Sequence, residues 1–301
     1  MERLVVGFIL DRMGRSTSCV SLLAFVTLIA LTSRTLPAHG SECKDPASGL
    51  ERAKIKIVSV EFRPESKLPD HLRAQVSEAL LESKLTISPE NPREWIYELE
   101  EAAAGDVLRN QGYFKAQTEI VPYLQKAERC AQFYAASISI ESGSQYRLGK
   151  IGFSAKVFSE AQLRDQMQIA TGDLFDVSKI RASLDALHRM YCRKGYINST
   201  FEPALALDET KGLIDVIIKV EEEKQYRVNS VEILGLEKSV ETLLRSQINI
   251  QKGDILDSPS LVEVLRKNQA LLPSGTPFEK LISLYRDTYE GTVDVVIDYS
   301  Q

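Results

Sequence analysis

The chain is poor in the residues on which most catalytic and metal chemistry depends: 3 histidines and 4 cysteines in 301 residues. His39 falls in an N-terminal segment. His71 stands at the start of a helix and His188 next to Leu187 on another, and for each a structural role outweighs a metal-binding one. Three cysteines follow residue 40, Cys43, Cys130 and Cys192, and an odd number excludes a complete disulfide framework. Cys43 and Cys130 form a candidate pair in an oxidising compartment. Cys192, beside Tyr191 on a helix and outside any Cys-x-x-Cys, reads as a partly covered free thiol. No nucleophile elbow, phosphate loop or dinucleotide fingerprint occurs, and the run GSQYRLGK at 143–150 lacks P-loop spacing. The acids Glu221–Glu223 read as a solvated junction. The expectation is a protein that is not an enzyme and holds no cofactor and no metal.

Basic stretches are also missing. Net charge is −5, and it moves to about −7 without residues 1–40, which carry four arginines against two acids. That argues against nucleic acid or an anionic lipid surface as the main partner. The longest apolar run, Cys19–Thr32, has fourteen residues; as a helix it reaches only about 21 Å, short of the roughly 30 Å hydrocarbon core. Arg12 and Arg15 precede it, and Ala38 and Gly40 follow at the −3 and −1 positions of a cleavage site. Residues 1–40 therefore read as a signal peptide, with Met13 a second candidate start and residues 41–54 a linker. Gly-Ser-Glu before Cys43 lacks the character of a lipobox. An uncleaved signal anchor stays open as the alternative.

What the chain does contain is a repeat of about eighty residues, used three times, over 55–143, 146–222 and 225–301. The second copy is the clearest. Strand YRLGKIGF (146–153) leads to a short helix around Leu163 and Met167 and the turn Thr171-Gly172-Asp173. A helix follows with Ile180, Leu184, Leu187 and Tyr191 on one face. Gly195 ends it in the left-handed conformation that glycine adopts without strain. Strands Tyr196–Leu207 and Leu213–Val220 then meet across the turn Asp208–Gly212. The third copy repeats YRV, Lys252-Gly253-Asp254-Ile255-Leu256-Asp257, Leu261 and Leu265, and Gly291-Thr292-Val293-Asp294. The first copy has strand Ile55–Phe62, a helix through Leu72, Val76, Leu80 and Leu81, and a second with Ile96, Leu99, Ala103 and Val107 on one face. That helix ends at Gly112-Tyr113, and strands follow up to about Leu124 and over Phe133–Ile140. Gly112, Gly172, Gly195, Gly212, Gly253 and Gly291 are the expected structural turns.

Each unit is thus β-α-α-β-β, an α+β module. Tracing the chain through two helices makes the third strand parallel to the first. The sheet is then mixed and three-stranded, in the order first-third-second, with both helices on one face. Linkers Ser142–Gln145 and Glu221–Gln225 permit a hinge with little wandering.

The ordered set YR(V/L)xx(I/V)x(F/I), G-D-(L/I)-(F/L)-D, Y-x-x-x-G-Y-I-N and D-x-x-x-G-x-(I/V)-D-V resembles POTRA domains, the polypeptide-transport-associated modules of BamA/TamA-like outer-membrane assembly proteins. The resemblance is full in the second copy and weak in the first. The third departs from it, with Leu272–Pro277 where the Gly-Tyr helix end belongs. The chain also stops after the last strand without the alternating segments of a transmembrane barrel. The resemblance implies an exported, periplasmic scaffold at the outer membrane, associated with the membrane through its partners. Those would be outer-membrane protein precursors, a separately encoded barrel or assembly subunits. The alternative is an inner-membrane-anchored interaction protein of a secretion or division complex.

The exposed second strand is the candidate site, because an extended segment can pair with its free N–H and C=O groups. Pro122 and Pro203 mark that strand as an edge in the first two copies and blunt pairing there. The third copy has no such interruption after Pro277. There Phe278, Lys280, Ile282 and Leu284 share one face, and they are the candidate partner-binding residues, with Tyr196 and Asn198 of the second copy added.

Overall fold

The computed structural model describes residues 53–86, 91, 93–128, 130–269 and 281–300. The segment 1–40 with its cleavage site, Cys43, the stretch Leu272–Pro277, Phe278 and Lys280 lie outside the described residues. The first module comprises β1 (Lys54–Phe62), α1 (Asp70–Leu81), β2 (Leu85–Thr86), α2 (Glu94–Glu101), β3 (Gln117–Glu128) and β4 (Ala131–Glu141). The second comprises β5 (Arg147–Ser154), α3 (Glu160–Arg164), α4 (Val177–Cys192), β6 (Thr200–Asp208) and β7 (Leu213–Glu221). The third comprises β8 (Arg227–Leu234), α5 (Lys238–Gln247), α6 (Ser258–Lys267), β9 (Ile282–Asp287) and β10 (Thr292–Asp298). The sheets run β2-β1-β4-β3, β5-β7-β6 and β8-β10-β9. In each, the first strand is parallel to the last (β1 with β4, β5 with β7, β8 with β10) and the second is antiparallel to it, as the tracing of the chain requires. Three hydrophobic clusters, one per sheet, fill the space beneath the helices.

The motif residues hold the second and third modules by the same bonds. Leu148 N–H donates to Asp173 O and Gly172 N–H to Leu148 O; Val228, Asp254 and Gly253 repeat both bonds at 2.8 and 2.7 Å. The Arg147 and Arg227 guanidinium groups each donate to the turn glycine's carbonyl at 2.8 Å. The first Asp of each motif closes its own turn, Asp173 accepting from Ala170 N–H and Asp254 from Gln251 N–H. The second Asp caps the following helix: Asp176 accepts from Lys179 N–H (3.1 Å) and Asp257 from Ser260 N–H (2.9 Å), which satisfies an amide the helix cannot. The Asp of the last strand fills the bulge in the first. Asp215 Oδ1 accepts from Lys150 N–H at 2.6 Å and lies 2.0 Å from where a Cβ on Gly149 would sit. Asp294 instead takes Asn229 Nδ2 and Ser230 Oγ. All six expected turn glycines have positive φ.

On α4, Ile180, Leu184, Leu187 and Tyr191 are buried as the periodicity requires, each worth roughly 1.5–3 kcal/mol against exposure. Tyr191 anchors an aromatic cluster with Phe158, Tyr196 and Phe201 at ring separations of 4.7, 6.0 and 5.3 Å. Its hydroxyl donates to Glu222 Oε1 (3.4 Å), which also accepts from Lys156 and Val157 N–H. Burial pushes the Glu222 carboxyl up, but those hydrogen bonds prevail and hold it below its usual range. The same carboxylate, after burial itself, pushes the Tyr191 phenol well up.

The first module departs from expectation in three places. Its sheet has a fourth strand: β2 pairs antiparallel with β1 through Ile55 and Leu85, so β1 is not an edge. In the other modules the same approach shrinks to single bridges, Arg147 with Leu174 and Arg227 with Ile255. Leu81, expected on the core face of α1, is 46% exposed, because Leu72, Val76 and Leu80 fill that face. On α2, Trp95 and Leu99 are buried while Ile96 is only partly so, and the helix continues as a π-helical turn, Ala102–Leu108. The wider turn advances the core position after Ala103 from Val107 to Leu108. Arg109, buried just beyond, donates to Glu101 Oε2 at 2.9 Å across Gly105, where a Cβ would lie 3.1 Å from the guanidinium.

Cys192 also differs from the half-covered free thiol of the sequence pattern. It is fully buried where its helix turns into the next module, and both it and Cys130 are disulfide-bonded. The pairing expected for Cys43 with Cys130 lies outside the described residues. The Cys192 sulfur is 3.7 Å from Nδ1 of His188, which is 5% exposed and edge-on to Phe201. Burial, with a smaller push from Arg189, holds the His188 imidazole down to about 4.

Two outcomes follow from this packing. Because the folded imidazole binds its proton more weakly than the unfolded one, His188 contributes stability above pH about 6.5, and that contribution falls away as pH drops toward 4. Urea titrations across this window are expected to show a loss on the order of 2–3 kcal/mol that His188→Phe removes. Gly149→Ala drives a methyl into Asp215 and is expected to lower the melting temperature by about 5 °C or more, measured by calorimetry.

Candidate functional site: the open strand edge

Among the described residues the one concavity of any size offers a ligand little. An open cleft of about 490 Å³ lies in the second module, lined by Ile151, Arg164, Met167, Ile169 and Asp173 among others. Its charged groups are already committed: Arg164 donates to Ile151 O and pairs with Glu160, and Asp173 accepts from Ala170 N–H. Among the described residues no cluster of three or more His, Cys, Asp or Glu is placed to hold a metal. No described helix is long and apolar enough to cross a membrane.

The three second strands, β3, β6 and β9, each pair on one side only among the described strands. What their outer sides offer differs. In β3 the outward Ile120 N–H is taken by Glu100 Oε1 at 3.0 Å. Alternation along the strand then puts Pro122, which has no N–H, at the next outward position. Burial, against the pull of that bond, raises the Glu100 carboxyl above its usual range. In β6, Pro203 opposes Ile218 and removes the donor there. In β9, Gly291 N–H donates to Asp287 O, so Asp287 faces β10. Alternation turns the N–H groups of Arg286, Leu284 and Ile282 outward. Ile282 opposes Ile297 as Pro203 opposes Ile218, so an open amide replaces a proline at the equivalent place.

The side chains of Ile282, 7% exposed, and of the partly buried Leu284 join the third module's core. They face the helices rather than a partner, and the edge offers backbone. Tyr285 alternates with them and is 62% exposed. The strand is shorter than its sequence pattern, beginning at Ile282 after Leu281 in a helical turn. Phe278 and Lys280 lie outside the described residues.

Tyr196 and Asn198 are not on an edge. The predicted strand from Tyr196 begins only at Thr200, because the chain makes a turn after Gly195, closed by Ser199 N–H to Tyr196 O at 3.2 Å. Asn198 instead bridges two modules. Its amide donates to Glu223 (3.3 Å) and to the Tyr226 hydroxyl (3.2 Å), and its Oδ1 accepts from Arg286 of β9 (2.6 Å). Sequence reasoning missed Glu100, which lies twenty residues from the amide it covers, and no local pattern marks it.

Known proteins share the fold. The POTRA family model, described as "Surface antigen variable number repeat", matches residues 146–223. The chain is 23% identical over 216 residues to the outer membrane protein assembly factor BamA of Buchnera aphidicola, covering 71% of this chain and 34% of that one. It is 18% identical over 172 residues to BamA of Neorickettsia risticii, covering 56% and 23%. The chain therefore spans about a quarter to a third of the length of these curated relatives. The crystal structure of Haemophilus influenzae BamA POTRA3-5 superposes with a TM-score of 0.59 at 17% identity, over 83% of this chain and 97% of that one, a likeness of fold. Residues 146–223 thus match the POTRA family model, and they stand second in a tandem of three α+β modules whose fold is like that of BamA POTRA domains.

Proposed function

We propose that this chain is a periplasmic POTRA scaffold in outer-membrane protein assembly or polypeptide translocation, and that it is not an enzyme. Relatives named as outer membrane protein assembly factors support the setting. The partners in this reading are other proteins: outer-membrane protein precursors or assembly subunits.

The observation that carries the mode of binding is the difference between the three edges. Capture by β-augmentation needs consecutive outward amides and carbonyls on a strand long enough to pair. In the first module Glu100 takes one outward donor and Pro122 removes the next, and in the second Pro203 removes one. The third keeps Ile282 and Leu284 open among the described residues. Such an edge selects for extended conformation more than for particular side chains, which suits clients of many sequences.

Proline at Leu284 or Ile282 removes an outward donor without taking a bond from the β9–β10 ladder. Each substitution is expected to weaken capture of a urea-unfolded outer-membrane barrel protein several-fold, up to about tenfold, with the circular dichroism spectrum unchanged. Pull-down at wild-type strength from both folded variants would refute the edge as the docking site. N-terminal sequencing of the exported protein is expected to begin after Gly40; a retained Cys19–Thr32 run would favour the inner-membrane-anchored reading.

A further inference from the structure

The two joints between modules are built alike. At each, a left-handed glycine ends the second helical segment, Gly112 (φ +83°) and Gly195 (φ +76°), and its carbonyl accepts from the next module's first tyrosine: Tyr146 N–H at 2.8 Å and Tyr226 N–H at 2.9 Å. A Cβ on Gly112 would come within 2.9 Å of Tyr146 O, and one on Gly195 within 2.7 Å of Tyr226 O. The linkers are clamped as well, by Gln145 Nε2 on Gln111 O (3.0 Å) and Gln225 Nε2 on Lys194 O (2.9 Å).

Two residues beyond each glycine, the chain inserts an apolar side chain into the neighbouring module. Phe114, 1% exposed, belongs to the second module's core and meets Phe175 edge-on at 5.4 Å. Ile197, 6% exposed, belongs to the third module's core together with Cys192. Polar ties surround each insertion. Asn110 Oδ1 of the first module accepts Ser178 N–H at the start of α4 (3.0 Å), and Lys115 pairs with Glu209. Arg193 of the second module donates to Ser260 Oγ (3.2 Å) and Glu263 (2.6 Å) beside α6, and Lys224 Nζ donates to Thr288 O (2.7 Å).

We propose that Phe114 and Ile197 couple the folding and the orientation of adjacent modules, so that the unit that folds is offset from the unit that repeats in sequence. Phe114 completes the core of the second module, and Cys192 with Ile197 that of the third. The linkers then act as locked joints rather than hinges, and the three second-strand edges are held at fixed spacing. This inference does not depend on which edge binds a client.

Amide hydrogen exchange on the full chain tests it. In Phe114→Ala, protection of β5, β6 and β7 is expected to fall about 100-fold or more, although the substituted residue lies in the first repeat. Ile197→Ala is expected to do the same to β8 and β10. Phe114→Leu, which fills most of the space, is expected to give a smaller loss with the same distribution and guards against simple failure to fold. Loss in the downstream module, with or without its neighbour, supports the coupling. Loss confined to the upstream module, or in neither, overturns it. Gly195→Ala adds a readout of orientation: small-angle scattering should show a larger radius of gyration than the wild type, and an unchanged curve at unchanged stability would overturn the locked joint.

Discussion

Parallel pairing of each module's first strand with its last is the constraint from which the rest follows. Two strands in the same direction need a long crossover, and here two helical segments and an intervening strand fill it. The last strand is thereby committed on both sides, to the first strand on one flank and the second on the other. Its apolar residues, such as Ile214, Val216 and Ile218 in β7, can be wholly buried because the helices cover that face. The second strand has no choice but to lie outside. The end of the central strand then points directly at the start of the next module, so a short linker suffices and repetition is geometrically cheap.

Much of this was legible because the motif residues act locally. Gly172 with Asp173 as a turn and Gly195 as a helix stop each work through neighbours close in sequence. The parallel tracing needed only the order of elements. What escaped depended on contacts between distant residues or on alternatives of nearly equal energy. The strand Leu85–Thr86 is two residues long and owes its existence to β1 lying alongside. The π-helical turn leads into an ion pair between Arg109 and Glu101 that no periodicity announces. Tyr196-Ile197-Asn198 alternates like a strand, yet its middle residue is claimed by the core of another module, and the chain must turn to deliver it.

The candidate edge was legible in part, and for a reason the structure sharpens. Pro122 and Pro203 signal a boundary strand in sequence, but only the hydrogen-bond alternation shows which positions face away from the sheet. It also separates two roles that the pattern merged. Ile282 and Leu284 hold the strand by their side chains while presenting amides outward. The same residues thus anchor the border and form it, and a substitution there must respect both.

An uncapped antiparallel border is complementary to itself under a twofold rotation. Two molecules of this protein brought together at β9 would each satisfy the other's amides and hide both from any third chain. Crowding the protein with its own kind therefore competes with whatever else β9 receives, and a dilute or physically separated arrangement keeps the border available. Glu100 and Pro122 on β3, and Pro203 on β6, interrupt the same self-pairing at the corresponding borders of the first two modules.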